Sequence, residues 1–267
     1  MARVLNKKSG NKPPQTLRLS WFSRTLLKQR MLSLSYALLT LLVALFISWV
    51  LLAKQNFWYG FWHDTVGIAE GIEQYGPQNR YKSGFADTTR EQRVDLFSQI
   101  NRSVHRSGMG LREIRYQSPS SGGIQALLRD PEVVHLQDVA NLIDVLFWPV
   151  FIAVFLWMGV SGYLILAVQL LPSPKQQFRS VAFILVPIAI GVLLVGPETV
   201  FNTLHEWVFP DGHDWFFFYQ DSLMSTMMRA PRLFGWIAMA WVLIAVMVFV
   251  GLQLLLRMLA KLKERTG

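Results

Sequence analysis

Four polar residues recur at every third position just ahead of an apolar stretch: His135, Asp138, Asn141 and Asp144. On a helix of 3.6 residues per turn they form one slanted face. A second group, Glu198, Asn202 and His205, is spaced four and three apart, one face again if the helix continues past Pro197. Histidine exchanges a proton near neutrality, and a neighbouring carboxylate fixes its tautomer and raises its basicity. Asp138, three residues after His135, is placed to do so. The chemistry on offer is therefore proton transfer by imidazole, at one site if the two stripes converge. Taken singly, each of these residues is accounted for by water and lipid headgroups. Two histidine-plus-carboxylate stripes on one side of a membrane weigh against that account, because ionisable groups at that depth are costly and usually face a polar interior.

Other chemistries fail on residue type or spacing. The chain has no cysteine, which excludes a disulfide scaffold, a zinc-thiolate site and a cysteine nucleophile. Gly159-Val160-Ser161-Gly162 has the form of an intramembrane serine protease motif, but Ser161 lies seventeen residues, about 25 Å, beyond Asp144. No histidine in the last apolar run serves it, so these small residues are expected to pack helices. His205-Glu206 opens like a zincin helix, yet position 209 is Phe. A metal reading is left only with His213 as a third ligand beside His135 and His205. His63 and His105 are expected to be structural. There is no G-x-S-x-G elbow and no Walker loop.

The elements that position the two stripes are membrane spans. Apolar residues make up 52% of the 267 residues and charged residues 16%, too apolar for an ordinary soluble domain. Residues 31–53 carry no charge, and neither do 145–171, 180–197 and 233–256; each is long enough to cross a hydrocarbon core of about 30 Å. The formal net charge of +9 is unevenly spread. Residues 1–30, 172–179 and 257–267 hold fourteen basic residues against one acid, while the rest of the chain is net acidic. By the positive-inside rule both termini are cytoplasmic. The charge thus reports membrane topology and contact with anionic lipid, and no nucleic-acid partner is expected.

The expected architecture is an all-α integral membrane protein with four transmembrane helices and a small α+β outer domain between the first two. Its parts are a basic segment 1–30, helix 31–53, an outer domain 54–136, helix 139–171, a turn 172–179, helix 180–200, an outer loop 201–232, helix 233–256 and a tail 257–267. In the outer domain, FWYGFW (57–62) stands where an interfacial aromatic belt is expected. Thr88-x-x-Glu91 is a capping-box pattern before a helix to about His105, and Leu111–Gln117 is a short strand candidate. About 80 residues enclose only a small core, so this domain must lean on the membrane or the helices. The run Trp215–Tyr219 suits the interface, and Arg229 and Arg232 suit lipid phosphates.

At these residues the chain resembles the bacterial lipoprotein intramolecular transacylases. The matching stretches are SSGGIQALLRDPEVVHLQDV (120–139), FNTLHEWVF (201–209), Trp215, Asp221 and APRLF (230–234). The spacing from Trp215 to Asp221 is one residue shorter than in the family, that from Asp221 to Pro231 is longer, and Tyr219 replaces a frequent Pro. The resemblance implies transfer of one acyl chain within a diacylglyceryl-modified N-terminal cysteine, from the glyceryl sn-2 oxygen to the cysteine α-amine. It implies a diacylated lipoprotein and membrane lipids as partners, no cofactor or metal, and residence in the bacterial cytoplasmic (inner) membrane with the site on its outer face. By match to the family's motifs, His135 and His205 are the catalytic pair. Asp138 as orienting carboxylate and Asn202 as oxyanion donor are readings of the residues themselves. A non-enzymatic membrane sensor or assembly protein, and a metal-dependent hydrolase, are the competing classes.

Overall fold

The computed structural model describes residues 15–168 and 171–266. Residues 1–14 of the expected basic segment, residues 169 and 170 at the end of the second apolar run, and Gly267 lie outside them. Among the described residues, four helices are long and apolar enough to cross a membrane. They are the apolar part of α1 (Gln15–Lys54), α5 (Asp130–Tyr163) with its π-helical continuation Leu164–Val168, α6 (Pro174–Val195) and α9 (Arg232–Thr266). In lipid a lone segment must satisfy its own backbone polar groups, which leaves long aliphatic runs no alternative to helix.

Helix α1 is central and packs against α5, α6 and α9. Side-chain hydrogen bonds join the helices in the half remote from the two stripes. Tyr36 and Ser161 hydroxyls meet at 2.7 Å, Trp157 Nε1 donates to Thr40 Oγ1 at 3.0 Å, and the amides of Gln177 and Gln253 bond reciprocally at 3.0 and 2.7 Å. Each such contact within a membrane contributes about 0.6–2 kcal/mol. The G-V-S-G run behaves differently from its expected packing role. Ser161 is buried in its bond to Tyr36, but a Cβ placed on Gly159 or Gly162 would meet nothing within 4 Å. The glycines face away from the neighbouring helices.

Above this bundle sits a cap built from two separate segments. The first holds α2 (Tyr59–Thr65), α3 (Ile68–Tyr75), α4 (Arg90–Val104) and the antiparallel pair β1 (Arg115–Tyr116) and β2 (Gln125–Ala126). The second holds α7 (Pro197–Val208) and α8 (Leu223–Met228). They share one core, with Ile68, Ile72, Phe85 and Leu127 from the first and Leu223, Met227 and Leu233 from the second and its junction with α9. Tyr59 donates to the Met227 carbonyl at 2.9 Å, and the Arg229 guanidinium reaches the Gly67 carbonyl. Arg229 is thus turned into the cap rather than toward lipid phosphates.

Three local expectations shift. The N-cap of α4 is Thr89, paired with Gln92, because Thr88 is buried with its hydroxyl donating to the Phe85 carbonyl. The strand over Leu111–Gln117 shrinks to Arg115–Tyr116 behind a 3₁₀ turn, Leu111–Glu113. The FWYGFW run is half core: Phe57, Tyr59 and Trp62 are buried, and Tyr59 stacks on Phe97 at 4.2 Å. Only Trp58 and Phe61 remain exposed there as large aromatic groups.

Candidate active site

The two arms of the site start from different kinds of helix end. Helix α5 begins at a bond between the Arg129 backbone N–H and Glu132 Oε2 at 2.6 Å. Glu132 is fully buried, and its other oxygen accepts from the Ser222 hydroxyl. The Ser222 oxygen also accepts from the Ser225 N–H at 2.9 Å, capping α8. One carboxylate therefore ties the start of α5 to the loop that leads into α8. One turn further on, α5 presents His135, 8% exposed.

The second arm is α7. Gly196, with φ 95° and ψ 129°, ends α6, and Pro197 starts a new helix. The expected continuous third helix is thus two helices, since Gly adopts a backbone that other residues avoid and Pro is preset for the first turn. Glu198, Asn202 and His205 keep their common face on α7 alone, and all three line the same cavity. His205 Nδ1 lies 2.7 Å from the Phe201 carbonyl. A carbonyl only accepts, so Nδ1 carries the proton and the Nε2 lone pair is open. Burial lowers the His205 pKa, with the Phe201 bond opposing it, which keeps the imidazole neutral at neutral pH.

The two imidazoles face each other with ring centres 6.2 Å apart. Phe209 lies 4.8 Å from the His135 ring and 5.2 Å from that of His205, and Trp215 lies 5.1 Å from His205. They open into a cavity of about 640 Å³, within the range of about 300–1,000 Å³ usual for small-molecule sites. Its walls are mostly carbon, from the cap helix α4, the bundle helices α1, α5 and α9, and the run Trp215–Tyr219. That run, expected at the interface, also lines the cavity, with Phe216 and Phe218 exposed. His105 also lines it, but its Nε2 accepts from Trp49 Nε1 at 3.0 Å and its Nδ1 donates to the Asn101 carbonyl at 2.8 Å. Both nitrogens are engaged, as a structural histidine requires. His63 is buried elsewhere beside Asp64.

The stripe on α5 divides. His135 faces the cavity, whereas Asp138 accepts a hydrogen bond from His213 Nδ1 at 2.6 Å, and none joins it to His135 among the described residues. A loop histidine has taken the carboxylate expected to orient a helical one. Asn141 accepts from Gln137 at 3.0 Å. His213 is outside the cavity lining, and the described residues hold no cluster of three metal-ligating groups. Asn202 faces the cavity without a side-chain hydrogen bond among the described residues. The Glu132–Ser222 link escaped sequence reasoning. Its only local signs were an acid at the third position of α5 and a serine before an apolar helix, and neither names its partner.

These features define a four-helix membrane protein with a paired-histidine cavity beneath a helical cap. Residues 117–231 match the family model of the lipoprotein intramolecular transacylase Lit. The resemblance read from the motifs is borne out over that stretch, which contains both cavity histidines, and the family is one of acyltransferases. A solved structure, a variant of the membrane-integral lipoprotein intramolecular transacylase Lit from Bacillus cereus, shares the fold. Its TM-score is 0.57 at 14% identity, covering 94% of this chain and 100% of that one. No curated protein matches the chain by sequence.

Proposed function

We propose that this protein is a lipoprotein intramolecular transacylase of the bacterial inner membrane, using His135 and His205 for proton transfer. The observation that carries the reading is the pair of imidazoles 6.2 Å apart in a carbon-walled cavity, with no Ser or Cys among the described residues hydrogen-bonded to either. An acyl transfer without an enzyme nucleophile needs the acceptor to be part of the substrate. The cysteine α-amine and the sn-2 ester of one diacylglyceryl-cysteine supply both partners, and holding them together removes much of the entropic barrier. The amine nitrogen bonds to the acyl carbon, the acyl carbon–oxygen bond breaks, and one amine proton ends on the glyceryl oxygen.

Of the two imidazoles, His205 is suited to take that proton. Its Nε2 is unprotonated, and the Phe201 carbonyl supports the ring once it is charged. In the proposed step His205 returns the amine proton to the glyceryl oxygen, His135 across the gap hydrogen-bonds that oxygen as it departs, and the Asn202 amide donates to the developing oxyanion. In this reading the cap lies outside the cell membrane and both termini lie inside. The basic residues Arg257, Lys261 and Lys263 at the opposite end of α9 support that orientation. The test is mass spectrometry of a lipoprotein's N-terminal peptide from membranes with and without this protein. The expected result is a shift of one acyl chain from glycerol to the α-amine only when it is present. The same acyl positions in both samples would overturn the proposal.

A further inference from the structure

The cap gathers three cations around a single buried carboxylate, Glu132. Arg80 is paired with Asp221 at 3.2 Å, and Arg112 with Asp130. Beside them, Lys82 Nζ donates to the Ala126 carbonyl at 2.6 Å, and Ala126 is the strand partner of Arg115. The Arg129 guanidinium stands 4.7 Å over the ring of Tyr81, the neighbour of Lys82. These contacts gather Lys82, Arg115 and Arg129 at one edge of the β1–β2 pair. Among the described residues, neither Lys82 nor Arg115 has a carboxylate within salt-bridge distance, and the buried Arg129 Nε has no hydrogen-bond partner. The nearby Glu132, 3.7 Å from Arg129 Nε, already accepts from Ser222 and the Arg129 backbone. Burial lowers the Lys82 pKa, with Arg115 and Arg129 adding to the effect and Glu132 opposing it.

Resting on the transacylase reading, we propose that Lys82, Arg115 and Arg129 form a docking site for acidic residues of the substrate polypeptide that follow the modified cysteine. The distances favour peptide over lipid headgroups. Arg129 is ten residues, about 15 Å, outside the expected start of the second span at residue 139, whereas a headgroup layer is about 5–8 Å deep. From His135 the site is six residues up α5, about 9 Å, which an extended peptide covers in about three residues. The acyl chains remain in the cavity and the polypeptide leaves past the cations.

The experiment measures binding and conversion separately for the full-length protein. The probes are diacylglyceryl-cysteinyl peptides bearing Glu, Ser or Lys at the second to fourth residues after the cysteine, in nanodiscs with and without anionic lipid. Wild-type protein is expected to bind Glu peptides about two- to fivefold more tightly than Ser peptides per ion pair formed, and Lys peptides least. Arg115→Glu, at an exposed strand position, is expected to invert that order, and Arg115→Gln to flatten it. Equal binding of all three peptides by wild type, or an order unmoved by Arg115→Glu, would sink the docking site. So would an effect of Arg115→Glu confined to anionic nanodiscs, which assigns the cations to headgroups. Ordered binding without conversion removes the transacylase reading and keeps the site; conversion at rates independent of peptide charge does the reverse.

Discussion

The two histidines are held by opposite means. His135 belongs to a helix start fixed from both sides, with Glu132, Val133, Leu136 and Ala140 all buried around it. His205 belongs to α7, which buries no residue at all, and its ring is set by the carbonyl of Phe201 one turn back on the same helix. One imidazole takes its position from the packed cap and the other from its own helical turn and an aromatic surround. Disturbances of the cap core should therefore reach His135, while His205 answers mainly to changes on α7 and in the run Trp215–Tyr219.

The largest effect tests whether the pair acts as a unit. His135→Ala and His205→Ala should each reduce acyl transfer by about 10²–10⁴-fold, the usual contribution of general acid–base catalysis. The double variant should lose little more than either single one. Additive losses, read from the initial rate of amide formation, would mean that the imidazoles work independently. Next comes the anchoring of α5. Glu132→Ala leaves the Arg129 N–H and Ser222 hydroxyl without their acceptor and should cost about 1–3 kcal/mol. It should lower both the melting temperature and the rate, with Glu132→Gln restoring much of each. A stability loss at unchanged rate per folded molecule would break the link between cap packing and His135.

A smaller effect concerns pH. In the proposed mechanism His205 takes a proton in its neutral form, and burial sets its pKa below 6.5. The limb belonging to His205 should therefore fall in the acid range through that lowered pKa, apart from the limb at about pH 8 set by the substrate's own α-amine. A limb centred at or above pH 6.5 in the kcat/KM profile, traceable to His205, would contradict its buried setting. The smallest effect is expected for Asp138→Asn. It weakens a pair with a half-exposed His213, worth less than about 1 kcal/mol, and the rate should change by no more than a few-fold. A loss matching that of His135→Ala would return Asp138 to the orienting role its spacing suggested.

What was legible in the sequence and what was not divide along the range of the interactions involved. The four apolar runs and the two histidine stripes are local patterns, and helical periodicity alone brings out the faces of α5 and α7. Whether those faces meet depends on the cap, whose core combines residues such as Ile72 and Met227, more than 150 positions apart. The assignment of Asp138 failed for the same reason. Spacing of three identifies a neighbour on the helix, and a loop residue 75 positions away reached the carboxylate instead. Trp215–Tyr219 carried the composition of a membrane interface because an apolar cavity and an interface ask for the same aromatic residues. Pro197 signalled a helix start, but only the backbone at Gly196 separates a kink from a true break.

That break has a mechanical consequence. Of the four spans, α6 is the least enclosed, burying only Gln177 and Val181, both in its first eight residues. A helix held mainly by lipid leans to match bilayer thickness. If its backbone ran on unbroken, the twelve residues of α7 would act as a lever about 18 Å long, and a lean of 10° would sweep its tip by about 3 Å. The turn at Gly196 works as a universal joint between the two. The position of His205 is thereby set by α7 and its aromatic neighbours rather than by the lean of α6.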